Sequence, residues 1–248
     1  MSRRIINLGI VAGAVLLLLG LFLAFYVHQA VAPAHRSSTT KQTVVKTPPA
    51  FDKTQYSLTD PASPWVIVNK QHPLNPTSYA PSDLVAVGNG QQMRAEAAVA
   101  LHQMFTDATT AGYTLVADSG YRSYNTQVST YGSIVKAYGQ NYADTVSARP
   151  GFSEHQTGWA VDIGSGGCHV QDCFGDTPDG QWAQANAYKY GFILRYPPSL
   201  TAITGYSNEA WHFRYVGLVL AAELHKENVL TLEQFFAVTG GTTYLNQS

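Results

Sequence analysis

The segment GFSEHQTGWAVDIG, residues 151–164, places several chemically reactive side chains close together. Among them are His155 and Asp162, and the later segment EAWHFRY adds His212, three residues after Glu209. Two imidazoles and one carboxylate are suitable ligands for a hydrolytic zinc ion, which keeps one position open for water, while a nearby carboxylate takes the proton of that water. The sequence therefore predicts Zn²⁺ ligation by His155, Asp162 and His212, with Glu209 as the catalytic base.

These residues can share a metal only if the backbone bends between them. Asp162 lies seven residues after His155, and on one straight strand the two side chains would point to opposite faces. Gly158 lies between them and is free to adopt a turn conformation that other residues avoid. Positions i and i+3 of a strand also face apart, so we expect Glu209 in the loop GYSNEA that precedes the strand of His212.

The elements that must hold these side chains follow from periodicity and capping signals. Strands are predicted at residues 113–118, 158–164, 192–196 and 211–217, and helices at 91–111, at 126–139, at 180–190 with Asp179 as its cap, and twice near the C-terminus. The last helix should begin at Thr231, which has capping-box spacing to Gln234. Because these elements do not alternate regularly, we predict an α+β fold, in which a small antiparallel sheet carries the zinc site and helices flank it.

The N-terminal region predicts attachment to a membrane. The segment from Ile5 to Val27 has no charged residue, matches the length of about 20 apolar residues needed to cross a bilayer, and follows two arginines that favour a cytoplasmic N-terminus. We expect a cytoplasmic tip and transmembrane anchor over 1–27, a flexible linker over 28–60, and an extracytoplasmic catalytic domain over 61–248. Small residues between Ala30 and Ala34 leave signal cleavage and secretion as the alternative.

The net charge limits which partners the protein can attract, and the cysteines indicate the compartment in which it works. A net charge of −1 with 12% charged residues provides no field that would attract nucleic acid, so no nucleic-acid partner is expected. The two cysteines, Cys168 and Cys173, are predicted to form a short disulfide outside the cytoplasm. The alternative is a thiolate metal site that includes His169.

Three ordered segments resemble one enzyme family. SEHQTGWAVD fits the pattern S-x-H-x-x-G-x-A-x-D and resembles the zinc D-alanyl-D-alanine carboxypeptidases of the VanY type. EAWHFRYVG and SGYRSYNTQ are similar to two further motifs of that family, and the resemblance covers roughly Asn75 to Gly217. One departure is Ala210, where the family commonly has proline, so the loop that holds Glu209 is expected to be less rigid.

The resemblance implies an activity and further site residues. The expected enzyme is a membrane-anchored zinc carboxypeptidase that removes the C-terminal D-alanine from peptidoglycan stem peptides. Arg122 corresponds to the substrate-binding arginine, which grips a peptide carboxylate or the developing oxyanion. Gln127 and Ser153 match other substrate-contacting positions. Trp211 is also assigned to substrate binding, as an aromatic side chain of the pocket wall. Related proteins include L,D-carboxypeptidases acting on tetrapeptide stems, D-Ala-D-Ala dipeptidases and wall endopeptidases.

Several features of the sequence also fit alternative interpretations. The segment SIVK, Ser133 to Lys136, fits the S-x-x-K nucleophile motif of serine penicillin-binding enzymes, although the supporting K-T-G is absent. Arg122 can alternatively pair with Asp118 at a strand end, and Ser153 can cap a turn. A non-catalytic wall-binding module on the same scaffold would be expected to lack the base, and Glu209 argues against it.

Overall fold

The computed structural model describes residues 50–245. The predicted membrane anchor, and the linker up to residue 49, lie outside the described residues. Within residues 50–245, no helix has the length and apolar character needed to span a bilayer.

Residues directly before the expected domain boundary at 61 pack against the domain. The ring of Phe51 stacks on that of Trp65 with centroids 5.6 Å apart. The backbone N–H of Ile67 donates to the carbonyl of Leu58 at 2.9 Å. The packed part of the chain therefore begins before residue 61.

A four-stranded antiparallel sheet lies at the centre of the fold. Its strands are β3 (Val116–Ser119), β4 (Ala160–Gly164), β5 (Phe192–Leu194) and β6 (His212–Tyr215), in the order β3-β4-β6-β5. A separate hairpin is formed by β1 (Leu84–Gly88) and β2 (Gln91–Arg94). The predicted small antiparallel sheet is confirmed, and β4 and β6 are its two inner strands.

Helices surround the sheet and complete the α+β fold that the sequence predicts. They are α1 (Ala95–Thr110), α2 (Tyr124–Tyr138), α3 (Gln140–Val146), α4 (Pro178–Asn186), α5 (Thr201–Thr204), α6 (Leu218–Glu227) and α7 (Leu232–Phe236). Short 3-10 helices occupy Glu154–Thr157, Asp172–Asp176 and Ala187–Tyr190. As predicted, α7 begins after Thr231, whose hydroxyl accepts a hydrogen bond from the backbone N–H of Gln234 at 3.2 Å.

The start of the first helix and the cap of α4 differ from the prediction. The first helix begins at Ala95 rather than at residue 91, because Asn89 and Gly90 both adopt positive φ and form a two-residue hairpin turn that places the following residues in β2. Helix α4 is capped by Thr177, whose side chain accepts from the backbone N–H of Gly180. Asp179 instead accepts a hydrogen bond from the backbone N–H of Thr114 at 2.7 Å.

Apolar side chains cover one face of all four strands and, at the edge strand β5, the other face as well. Successive strand residues point to opposite faces, and the neighbours Phe192 and Ile193 on β5 accordingly belong to different hydrophobic clusters. One cluster includes the buried stripe of α1, and the other includes residues of α6 and α7. The inner strands β4 and β6 bury one face in the first cluster, and this packing positions the polar side chains on their other face.

Candidate active site

The pairing of β4 with β6 brings two of the predicted metal ligands together. Asp162 on β4 is the cross-strand partner of His212 on β6, and Ser119 on β3 pairs with Asp162 from the other side. Directly paired residues of an antiparallel sheet project from the same face. Oδ1 of Asp162 consequently lies 3.2 Å from Nδ1 of His212.

A sharp turn before β4 adds the third side chain. His155 lies in the 3-10 helix Glu154–Thr157, which ends at Gly158 in the left-handed conformation with φ of 72°. This is the bend that the sequence predicts, and a Cβ at Gly158 would also approach Cγ of Arg94 to 2.9 Å. The turn places Nε2 of His155 3.3 Å from Oδ2 of Asp162.

Hydrogen bonds on the outer nitrogens determine which nitrogen of each imidazole faces the centre of the cluster. Nδ1 of His155 lies 2.8 Å from the carbonyl of Gly120, which can only accept, so this nitrogen carries the proton and Nε2 faces Asp162 with its lone pair. Nε2 of His212 lies 3.3 Å from a carboxylate oxygen of Glu154, which leaves Nδ1 facing Asp162.

This arrangement fits a divalent cation. One donor atom from each of His155, Asp162 and His212 lies within 4.8 Å of the others, and all three residues are buried. The lone pairs of the two imidazoles face the carboxylate of Asp162, and the two kinds of group repel each other unless a positive charge lies between them. In addition, Oδ1 of Asp162 receives no hydrogen bond from any residue in the range 50–245. Two imidazoles and one carboxylate form a three-ligand set typical of catalytic zinc sites.

The electrostatics of the cluster favour positive charge. Burial alone would raise the pKa of Asp162, but the neighbouring imidazoles of His155 and His212 outweigh it and hold this pKa well below its usual range. For His212, burial acts to lower the pKa, whereas the neighbouring carboxylates of Asp162 and Glu154 raise it to about 9. The same carboxylates would attract a cation to this position.

Glu209 lies in the loop before β6, as the sequence predicts. Its backbone N–H donates to the carbonyl of Tyr196 at 3.0 Å, and its own carbonyl accepts from the N–H of His212 at 3.1 Å. These contacts place Oε2 of Glu209 3.5 Å from Nδ1 of His212. Burial and the nearby Asp162 raise the pKa of Glu209 to about 7, although His212 and Arg122 oppose the shift. A carboxylate with this pKa is suited to accept a proton near neutral pH.

Arg122 is fixed on the wall of the same cavity. Its Nη1 donates to Oε1 of Gln127 and its Nη2 donates to Oγ of Ser119, both at 3.0 Å. Asp118 instead contacts Nδ1 of His169 at 2.9 Å, so the alternative pairing of Arg122 with Asp118 is wrong. The backbone N–H of Arg122 also donates to the carbonyl of His155 at 3.1 Å, which couples the arginine to the metal-binding segment.

Gln127 lies behind Arg122 rather than on the cavity wall. The side chain is fully buried, and its amide donates to Ser147 and to the carbonyl of Ala148 at 3.2 and 2.6 Å. Since its amide oxygen accepts from Arg122, both ends of the Gln127 side chain are engaged by protein groups. Gln127 therefore orients the guanidinium of Arg122. It does not line the cavity, where the predicted contact with substrate would be made.

A solvent-accessible cavity of about 120 Å³ joins these groups. This is smaller than the roughly 300 Å³ at which pockets for drug-sized ligands begin, so it suits a short chain end. Its wall includes Ser153 and Trp211, as expected, together with residues that the sequence analysis did not single out: Glu154, Tyr196, Tyr206, Val146, Ser147, Ala148 and Val170. Only Glu154 had a local signal, because it is a charged residue inside the metal motif.

The alternative chemistries do not match the structure. Cys168 and Cys173 form a disulfide with Cα atoms 6.0 Å apart, so the thiolate metal site is wrong. Ser133 lies on the exposed surface of α2 and donates its hydroxyl to the carbonyl of Ser129 at 2.8 Å. Neither Ser133 nor Lys136 lines the cavity, so the S-x-x-K reading is not supported by a site.

Comparison with known proteins agrees with this geometry. The family model described as VanY, D-alanyl-D-alanine carboxypeptidase, matches residues 90–218. The chain belongs to the VanY family. The match includes all three predicted metal ligands, Glu209 and Arg122, and family membership makes the chain a carboxypeptidase of the VanY type.

Individual family members are similar over most of the domain. A protein of Bacillus subtilis (strain 168), provisionally named carboxypeptidase YodJ, is 45% identical over 191 residues, which cover 73% of this chain and 69% of that protein. The solved structure of the LdcB LD-carboxypeptidase is 44% identical with a TM-score of 0.67, covering 72% of this chain and 88% of LdcB. A mutant of the vancomycin-resistance D,D-pentapeptidase VanY in complex with Zn(II) is 34% identical with a TM-score of 0.61, covering 69% of this chain and 97% of that structure.

Proposed function

We propose that this chain is a zinc-dependent carboxypeptidase that removes the C-terminal D-alanine from peptidoglycan stem peptides. The observation that carries the proposal is the convergence of three kinds of group on one cavity: the cluster of His155, Asp162 and His212, the carboxylate of Glu209, and the guanidinium of Arg122. A metal-binding cluster, a base and a fixed cation are the parts that hydrolysis at a free carboxyl terminus requires.

Zinc is the metal that the donor set favours. Nε2 of His155, Nδ1 of His212 and a carboxylate oxygen of Asp162 would hold it, and the related VanY structure contains Zn(II). When bound, zinc would polarise the scissile carbonyl and make the attacking water more acidic.

Glu209 is assigned the proton transfers. Its carboxylate lies 3.5 Å from Nδ1 of His212, on the open side of the cluster. From there it takes a proton from the attacking water and delivers that proton to the departing amine nitrogen. Burial raises the pKa of this carboxyl group to about 7, which favours both transfers because the group can gain and lose a proton near neutral pH.

Arg122 is assigned recognition of the free chain end. A guanidinium has five N–H donors, and the bonds to Ser119 and Gln127 use two of them. Because these bonds fix the plane of the guanidinium, its remaining donors can form paired hydrogen bonds to a terminal carboxylate. Recognition of that carboxylate would make the enzyme an exopeptidase.

L,D-carboxypeptidase activity on tetrapeptide stems is the second candidate. It is favoured by the LdcB LD-carboxypeptidase, whose structure is 44% identical to this chain, against 34% for the D,D-pentapeptidase. Both reactions release D-alanine, but they differ in the residue on the acyl side of the cleaved bond. The metal, Glu209 and Arg122 would have the same roles in both reactions.

We also propose that the enzyme works outside the cytoplasm on a membrane anchor. The uncharged segment from Ile5 to Val27 supports the anchor, and the Cys168–Cys173 disulfide supports an oxidising compartment. Membrane fractionation of cells that express the full chain, followed by external protease treatment, tests this. Recovery of the intact chain in the soluble cytoplasmic fraction would contradict it.

Mass spectrometry of defined muropeptides tests the activity. The full chain is incubated with pentapeptide and tetrapeptide muropeptides, and the Glu209→Gln variant is the matched control. Loss of one alanine from the pentapeptide supports the D,D reaction, and loss of one alanine from the tetrapeptide supports the L,D reaction. Release of the dipeptide, or no release from either substrate by zinc-loaded protein, would overturn the proposal.

A further inference from the structure

Glu154 forms a buried link between the metal cluster and two arginines. The residue is 1% exposed. Its Oε1 accepts hydrogen bonds from Nε of Arg195 and from Nη1 of Arg214, both at 2.8 Å. Its other oxygen, Oε2, lies 3.3 Å from Nε2 of His212. The two arginines therefore occupy one oxygen and direct the other towards the outer nitrogen of a metal ligand.

The arginines are themselves held in place. Arg195 forms a two-point pair with Glu233, at 2.9 and 2.6 Å. Arg214 donates to the backbone carbonyls of Pro64 and Val66 at 3.0 and 2.9 Å. Both arginine side chains and Glu154 are inaccessible to solvent, so the carboxylate of Glu154 has little freedom to rotate.

This network does more than balance buried charge. Two arginines and two glutamates compensate one another, but buried ion pairs stabilise a fold weakly, because desolvation offsets most of their attraction. The direction of Oε2 has a chemical effect, since a carboxylate that accepts from Nε2 of His212 keeps the proton on that nitrogen and leaves Nδ1 as the metal-binding atom.

We infer that Glu154 is a positioning residue that selects the nitrogen His212 presents to the metal and thereby sets the zinc affinity. This inference rests on the proposed zinc site, and it concerns metal binding rather than peptide hydrolysis. Carboxylates that orient a ligating histidine typically change metal affinity by about 10- to 100-fold when they are altered.

The variant Glu154→Gln tests the inference with little change in volume. The N–H groups of Arg195 and Arg214 would hold the amide oxygen, so the amide NH₂ would face Nε2 of His212. Two N–H donors cannot pair, and His212 is then driven to carry its proton on Nδ1, where it blocks the metal. Zinc affinity, measured by competition with a chelator, should fall by about 10- to 100-fold.

Glu233→Gln is the matched control. Glu233 is also buried and also contacts Arg195, but its other hydrogen bond is to Asn69 and not to a metal ligand. Both variants disturb the same network, so a purely structural role predicts equal losses of zinc affinity. The inference predicts that Glu233→Gln binds zinc as tightly as the wild type. Equal zinc affinities of Glu154→Gln and the wild type, or equal losses in both variants, would overturn it.

A spectroscopic measurement on the wild type keeps the inference testable even where Glu154→Gln does not fold. Cadmium replaces zinc in protein with nitrogen-labelled histidine, and spin–spin coupling identifies the metal-bound atom. Coupling to Nδ1 of His212, with the proton on Nε2, is expected, and coupling to Nε2 would overturn the inference. Neither readout uses a peptide, so tight zinc binding without hydrolysis would contradict the proposed function and leave this inference standing.

Discussion

Asp162 on β4 is the direct cross-strand partner of His212 on β6, with Oδ1 of the aspartate 3.2 Å from Nδ1 of the histidine. A shift of the register by one residue would turn one of these side chains to the opposite face of the sheet. The opposite face of the two strands, with Val161 and Phe213, is buried in the apolar core, so such a shift would also move core residues out of it. Core packing and metal-ligand geometry therefore depend on the same register.

Removal of the metal should abolish activity, whereas alteration of Ser133 should not. A chelator is expected to stop release of alanine, and added zinc should restore it, because His155, Asp162 and His212 are assigned to one ion. Ser133→Ala should keep the wild-type rate, since Ser133 lies on the exposed surface of α2. Inhibition by a β-lactam together with insensitivity to chelator would contradict the metal mechanism.

Replacement of Glu209, the proposed base, should separate catalysis from metal binding. Glu209→Gln keeps the shape of the side chain but cannot accept the proton, and kcat is expected to fall by about 10²- to 10⁴-fold. Zinc content, measured by elemental analysis, should stay near one ion per chain because Glu209 is outside the three-ligand set. A wild-type rate in this variant would rule out Glu209 as the base.

The pH profile should report the ionisation of Glu209. Only the ionised carboxylate accepts a proton, so activity should rise with pH as Glu209 loses its proton. Burial raises its pKa to about 7, and a bound cation would lower that pKa, so the acidic limb of kcat/KM should lie at or below pH 7. Glu223→Gln, which alters a carboxylate paired with Lys226 on the surface of α6, should leave the profile unchanged. An acidic limb centred above pH 8 would conflict with this assignment.

Arg122 should contribute mainly to recognition of the terminal carboxylate. Arg122→Lys keeps the positive charge but loses the paired donors, so kcat/KM should fall by about 10- to 100-fold, as expected for loss of a hydrogen bond to a charged group. A peptide with an amidated C-terminus should be a poor substrate for the wild type, and the variant should discriminate less between acid and amide. Lys136→Gln, at an exposed cation on α2, is the control. Equal discrimination in wild type and Arg122→Lys would contradict this role.

The disulfide should hold one wall of the cavity. Val170 lies between Cys168 and Cys173 and lines the cavity. Replacing both cysteines by serine should lower the free energy of unfolding by roughly 2 kcal/mol, as the chain-entropy relation gives for so short a loop, and should raise KM. Denaturant unfolding and steady-state kinetics measure the two effects. An unchanged KM in the double variant would show that the loop does not contribute to substrate binding.

Local sequence patterns predicted much of the fold and of the candidate site. The mixture of helical and strand periodicity predicted the α+β class, and the spacing around Gly158 required the bend that the structure contains. The hairpin of β1 and β2 was missed, although Asn89 and Gly90 are a strong turn signal, because the apolar period of α1 continues back to Met93. In the structure, Met93 lies in strand β2, and only the apolar residues from Ala95 onward lie in the helix.

The sequence by itself determined which side chains could bind a metal and act as a base, because ligand type and backbone bending are local properties of the chain. Only the tertiary structure decided which residues orient these side chains. Gln127 accepts a hydrogen bond from Arg122. Glu154 is held by Arg195 and Arg214 and contacts His212. The contacts of Glu154 join residues 41 to 60 positions apart, and Gln127 is itself held by Ser147 and Ala148, 20 and 21 residues further along the chain. The geometry of these contacts is set by strand register and core packing, which no short motif encodes.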